Sequence, residues 1–122
     1  MTKTLRYLFT TLLCLTVLSS FGQAKTRILF LLDASGSMWA KMEKDNRITV
    51  AKNLLSKMVD SLNQFDHVEV ALRVYGHTSP KAQQNCKDTR LEVRFSKNNA
   101  QEIKNKLKTI RPSGTTLISY SL

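Results

Sequence analysis

The sequence predicts an α/β fold, with a mostly parallel sheet, an antiparallel edge strand and helices on both faces. The chain is expected to carry the N-terminal part of such a domain. Three observations predict it. Ile28–Leu32 is an unbroken apolar run of strand length that stops at Asp33, as in a strand buried on both faces. From about Arg47 to Leu62, Ala51, Leu54, Leu55, Met58, Val59 and Leu62 recur three and four positions apart, one buried stripe of a helix. His67–Tyr75 is a second strongly apolar run. Strand, helix and strand make a βαβ unit, whose strands are parallel and whose crossover is right-handed.

In order along the chain, Lys3 and Arg6 give a positive start, and Tyr7–Leu18 is mostly apolar. Ser19–Ala24 then supplies the small residues that a signal peptidase needs. Residues 1–24 read as a cleavable secretory signal peptide, cut near Gly22 or Ala24, and residues 25–122 as the domain. A membrane anchor is the competing reading, but the apolar core falls short of the roughly 20 residues that span a bilayer. Cys14 lies inside that core and not at the cut, which argues against a lipid anchor. The expected product is secreted or periplasmic, with no stable membrane span after cleavage.

After Asp33 comes a loop of small residues, followed by Trp39, Met42 and a polar stretch. Asp45 or Asn46 can cap the helix that starts near Arg47. Met38 and Met42 read as packing residues, and packing is also the simplest role for Trp39. Arg73 interrupts the second apolar strand and has no assignable role; nor has Arg94. Gly76–Thr89 is a long polar loop with His77, Pro80 and Cys86. His77 follows the carboxyl end of a parallel strand, where α/β ligand sites form, so it either lines such a site or is a surface histidine. His67, at the other end of that strand, reads as structural.

Arg90–Phe95 alternates, with Leu91, Val93 and Phe95 on one face and Arg90, Glu92 and Arg94 on a wet one. It reads as the antiparallel edge strand. Ser96 or Asn98 can cap a helix from about Ala100 to Thr109. Its apolar positions are Ala100, Ile103, Leu107 and Ile110, and Pro112–Gly114 ends it. Thr115–Leu122 resembles a loop entering another helix, so the domain is expected to be incomplete at its C-terminus.

The chemistry gathers at Asp33-Ala-Ser-Gly-Ser37. A carboxylate and two hydroxyls stand at i, i+2 and i+4 after a strand. These are hard oxygen ligands of the kind Mg²⁺ takes, and one carboxylate leaves a divalent ion with residual positive charge. The pentapeptide, set between an apolar strand and a helix, resembles the Asp-x-Ser-x-Ser signature of von Willebrand factor A (VWA) domains. The resemblance covers Lys25 to the end of the chain. It implies a Rossmann-like fold and a metal-ion-dependent adhesion site with Mg²⁺ (or Mn²⁺) as the ion. It also implies a Thr ligand before a later helix. Gly114-Thr-Thr-Leu-Ile118 fits that place best with Thr116, with Thr115 as the alternative. The implied metal ligands are Asp33, Ser35, Ser37 and Thr116. The family's usual further Asp, at the end of a fourth strand, lies beyond Leu122.

The implied function is metal-dependent protein binding, with a protein partner supplying an Asp or Glu to the ion and no catalysis by the chain. The rivals are a Mg²⁺-dependent phosphatase-like hydrolase and a structural envelope protein with a vestigial site. A strand ending in Asp also resembles the opening of haloacid-dehalogenase-type phosphatases. There a second Asp two positions on works as acid and base, and this chain has Ser35 in that place.

The formal net charge of +10 across 122 residues is scattered, with no basic run interleaved with aromatics, so no nucleic-acid partner is expected. The positive field would still attract an acidic ligand. Cys86 is the single cysteine after residue 24. It is either a free thiol or pairs outside the chain.

Overall fold

The structure is a computed structural model and describes residues 2–3, 22 and 24–116. Most of the expected leader, including the apolar segment with Cys14, and the helix expected after Thr116 lie outside the described residues. No helix among the described residues is long and apolar enough to cross a membrane.

The strands are β1 (Thr26–Asp33), β2 (Lys41–Met42), β3 (Asp45–Asn46), β4 (Val68–Tyr75) and β5 (Thr89–Ser96). The helices are α1 (Arg47–Leu62) and α2 (Ala100–Thr109). The main sheet has the order β1-β4-β5. β1 runs parallel to β4 in continuous register from Thr26↔Val68 to Asp33↔Tyr75, and β5 is antiparallel to β4. This is the expected α/β architecture, with β4 in the centre. β2 and β3 form a two-residue hairpin between β1 and α1, turned through Glu43 at φ 57°, where the sequence shows only a polar stretch.

α1 forms as its stripe dictates. Asn46 is the cap, and its side chain accepts from the Thr49 N–H at 3.0 Å. Ile48, Leu55 and Val59 are buried against Val68, Val70, Leu72 and Val74 of β4 and against Ile103 and Leu107 of α2. Among the described residues both helices therefore cover the same face of the sheet, and the helix expected on the other face is not among them. Leu54 and Met58, which the spacing puts on the buried stripe, are exposed, and so is Met42. Met58 instead borders an open apolar groove with Ile28, Phe30 and Leu62. The same opening explains β1. Only Leu32 of this strand is fully buried, because its outer edge has no neighbour among the described residues.

Two elements depart from the local rules. β5 does not keep a simple alternation. Its pairing shifts between Val70/Leu72 and again between Leu72/Arg73, so an extra β5 residue is accommodated at each place. Glu92 consequently leaves the wet face, and its side chain is only 9% exposed. At the start of α2 neither Ser96 nor Asn98 is the cap. Asn98 takes φ 51° in the turn, and Asn99 occupies the cap position without a side-chain capping bond. Its amide instead donates to Val70 O at 2.8 Å and to Arg94 O at 3.4 Å.

Candidate metal centre

The parallel strands deliver Asp33 and Tyr75 to the same end of the sheet. The chain after Asp33 is held by backbone bonds to two segments, the end of β4 and Ser113–Gly114. Ala34 N–H donates to Tyr75 O at 2.8 Å, Gly36 N–H to Gly114 O at 2.9 Å, and Ser113 N–H to Ala34 O at 3.1 Å. Ser35 and Gly114 form an isolated parallel bridge. The segment that carries Thr116 is thereby fastened to the Asp33 loop, and Trp39 adds a bond from its indole N–H to Pro112 O at 2.9 Å. Trp39 is thus half-exposed and anchored, rather than packed in the core.

Close approach is made possible by two glycines. Gly76 has φ 73°, and a Cβ there would lie 2.8 Å from the backbone N of Ser35. A Cβ on Gly114 would lie 2.8 Å from an Asp88 carboxylate oxygen.

Within this frame Asp33 accepts from the Ser35 N–H at 2.8 Å through one carboxylate oxygen. The Ser35 and Ser37 hydroxyls are 3.1 Å apart. Thr116 donates through its hydroxyl to the Ser35 hydroxyl at 3.0 Å, across 81 residues of sequence. Ser35 is 1% exposed and forms the floor, while Ser37 and Thr116 stand at the surface on either side. Of the two adjacent threonines, Thr116 is the one hydrogen-bonded to this cluster.

Burial and the Asp33 carboxylate push the Tyr75 hydroxyl up to about 12, so it stays neutral beside Asp33. No group of three or more His, Cys, Asp or Glu is gathered among the described residues. The donor set at the Asp33 loop is one carboxylate and three hydroxyls. It fits a hard divalent cation such as Mg²⁺ or Mn²⁺ and is poorly matched to a soft or borderline one.

His77 is not a surface residue. Its side chain is 9% exposed, and its Nε2 lies 2.7 Å from Glu92. His67 makes an edge contact with Phe65, ring centroids 6.0 Å apart. Cys86 is free and exposed in the long loop.

Tyr75, Gly76 and Asp88 support the site, and sequence reasoning misses all three. A glycine directly after a strand is the available signal for Gly76. Asp88 has none. Its carboxylate gathers the N–H groups of Thr78 and Ser79, and also the Thr78 hydroxyl, so it folds the loop beneath Gly114. It is 2% exposed. Burial pushes its carboxyl up, but these bonds outweigh that and hold it below the usual range.

Comparison with known proteins places this geometry. Residues 28–119 match the model of the von Willebrand factor type A domain. Protein YwmC of Bacillus subtilis (strain 168) is 32% identical over 105 residues, which is 83% of this chain and 45% of that protein. The PilB minor pilin from Streptococcus sanguinis and its D319A mutant share the fold, with TM-scores of 0.62 and 0.61 at 18% and 19% identity. They cover 79% and 80% of this chain and 24% of each pilin chain. The chain thus spans about half the length of the curated relative and a quarter of the pilins.

Proposed function

The chain belongs to the von Willebrand factor type A family, and on that premise we propose that it is a metal-dependent protein-binding domain of the adhesion type. Asp33, Ser35, Ser37 and Thr116 would hold Mg²⁺ or Mn²⁺. An ion held there would supply a Lewis acid able to take an Asp or Glu carboxylate of a partner protein. The chain's own residues set up that contact. Asp33 supplies one negative charge against two positive ones, which leaves the site attractive to an outside carboxylate. The buried Ser35 fixes the spacing of the two exposed hydroxyls.

The observation that carries the reading is the hydrogen bond from Thr116 to Ser35. Hydroxyls from two distant segments meet on the one loop that also bears the carboxylate. The same residues argue for binding over hydrolysis. Two positions after Asp33, a phosphatase of the rival kind needs a proton-transferring acid, and this chain has a buried serine bonded to other hydroxyls. The leader-like residues 1–24 and the likeness to a minor pilin support a secreted or periplasmic location.

Isothermal titration of the protein with Mg²⁺ and Mn²⁺, beside Asp33→Ala checked by circular dichroism, tests the reading. Saturable binding in the wild type and none in a folded Asp33→Ala is expected. A folded wild type without metal binding overturns it. Metal-dependent turnover of an aryl phosphate that vanishes in Asp33→Asn would replace binding by hydrolysis.

A further inference from the structure

Beside the metal loop, between β5 and the C-terminal end of α2, lies a groove of about 370 Å³ whose walls include His77, Arg90, Glu92, Lys106 and Arg111. Its charge is unbalanced. Glu92 is the single carboxylate of the wall and faces the Arg90 and Lys106 cations and the His77 ring. It accepts from His77 at 2.7 Å, lies 3.1 Å from the Lys106 ammonium and is 3.9 Å from the Arg90 guanidinium. Burial pushes the Glu92 carboxyl up, yet donation from His77 and Lys106 holds it below its ordinary value, so it is charged and fully used by its neighbours.

Arg111 has no ion-pair partner among the described residues. Burial lowers the pKa of Lys52, and the nearby Arg111 charge lowers it further. Arg90, Lys106 and Arg111 stand against Glu92 alone, so the groove wall carries two positive charges in excess. Asp88, the other carboxylate of the neighbourhood, is spent on the loop amides.

His77 lines the same wall, with its ring bonded to Glu92, so its signals report what the groove holds.

The groove is also close to the metal loop. Gly76 touches Ser35, and His77 is the next residue, so the groove wall begins roughly 8 Å from Ser35 along the backbone. At the other end, Arg111 is followed by Pro112 and by Ser113, whose N–H bonds Ala34 O.

We propose that this groove is a second anion site, which takes a further carboxylate of the same acidic partner segment whose first carboxylate completes the metal centre. The inference rests on the metal-bridging reading above and adds a specificity to it. An extended chain advances about 3.3–3.6 Å per residue, so the two acidic side chains would stand about two to four residues apart.

The probe is an acetylated peptide with Asp and Glu separated by three glycines, against the same peptide with Gln for Glu. Each is titrated into the ¹⁵N-labelled full chain with and without MgCl₂, and the His77 ring signals report the groove. With Mg²⁺ the diacid is expected to bind about tenfold tighter than the monoacid, the scale of one charge-assisted contact. Only the diacid should move the His77 signals. Arg90→Gln/Arg111→Gln leaves the His77–Glu92–Lys106 cluster in place. It should remove the diacid advantage while Mg²⁺ affinity persists, and Arg111→Gln alone should remove part of it.

Mg²⁺-dependent binding of both peptides with equal affinity overturns the groove and spares the metal reading. Binding that ignores both Mg²⁺ and Asp33→Ala overturns both. A His77 response to inorganic phosphate but to neither peptide overturns the carboxylate assignment.

Discussion

Gly76 joins the end of β4 to the metal loop by having no side chain. Its φ of 73° belongs to the region that L-residues avoid, and what a Cβ would strike is backbone, which cannot rotate away. Gly76→Ala should therefore cost about 1–3 kcal/mol for the backbone conformation, with the overlap at Ser35 in addition. Urea unfolding reads this directly, and unchanged stability would refute it. Thr116 and Thr115 are separated at the same scale. If Thr116 holds the ion, Thr116→Val should abolish Mg²⁺ binding in titration and Thr115→Val should spare most of it. The reverse result would move the ligand to Thr115. The Asp-x-Ser-x-Ser stretch is legible in the sequence because its chemistry is local, five consecutive residues after a strand. Glu92 is not. Counted by alternation it belongs on the wet face, and it is the bulge in β5 that turns it toward His77 and Lys106.

Elements are legible where a period continues over several turns, as in α1, and less so where a long-range bond decides. The start of α2 is the clear case. Ser96 and Asn98 satisfy the local rule for a cap, but Asn99 spends its amide on Val70 O, 29 residues away, and on Arg94 O. That side chain ties the end of β5 to β4 at the irregular stretch. Asn99→Ala removes both bonds and should cost about 1–3 kcal/mol, with protection lost first at the β4–β5 amides in hydrogen exchange. Ile103, on the inner face of α2, is 0% exposed and packs between α1 and β4. Ile103→Ala should cost about 2–5 kcal/mol by chemical denaturation. A much smaller loss would mean that α2 does not hold the core. β1 shows the opposite limit. Its apolar run reads as a doubly covered strand, and the cover on its outer side is not among the described residues.

At the scale of the molecule, charge decides how the fold answers to acid. The chain is basic overall, so protonating carboxylates both raises its self-repulsion and removes specific bonds. Two carboxylates carry the specific part. Asp88 organises the loop beneath Gly114, and Glu92 balances the cations of the groove. Both have folded-state values held below their ordinary ones despite burial. A depressed carboxyl binds its proton less readily in the folded chain than in the unfolded one. Its contribution is therefore full above the ordinary carboxylate value, near pH 4, and is lost as pH falls through the lower folded value. Stability should hold from neutral pH to about pH 5 and decline below it. The Asp88→Asn variant should be less stable at pH 7 and lose less on acidification, because the group that titrates is gone. Because Asp88 braces the segment leading to Thr116, the same variant should also weaken Mg²⁺ binding at pH 7, while Glu92→Gln should share the acid behaviour without that loss. Thermal unfolding from pH 3 to pH 7 with a parallel Mg²⁺ titration checks both. A wild-type acid limb unchanged in Asp88→Asn would place the acid response elsewhere in the fold.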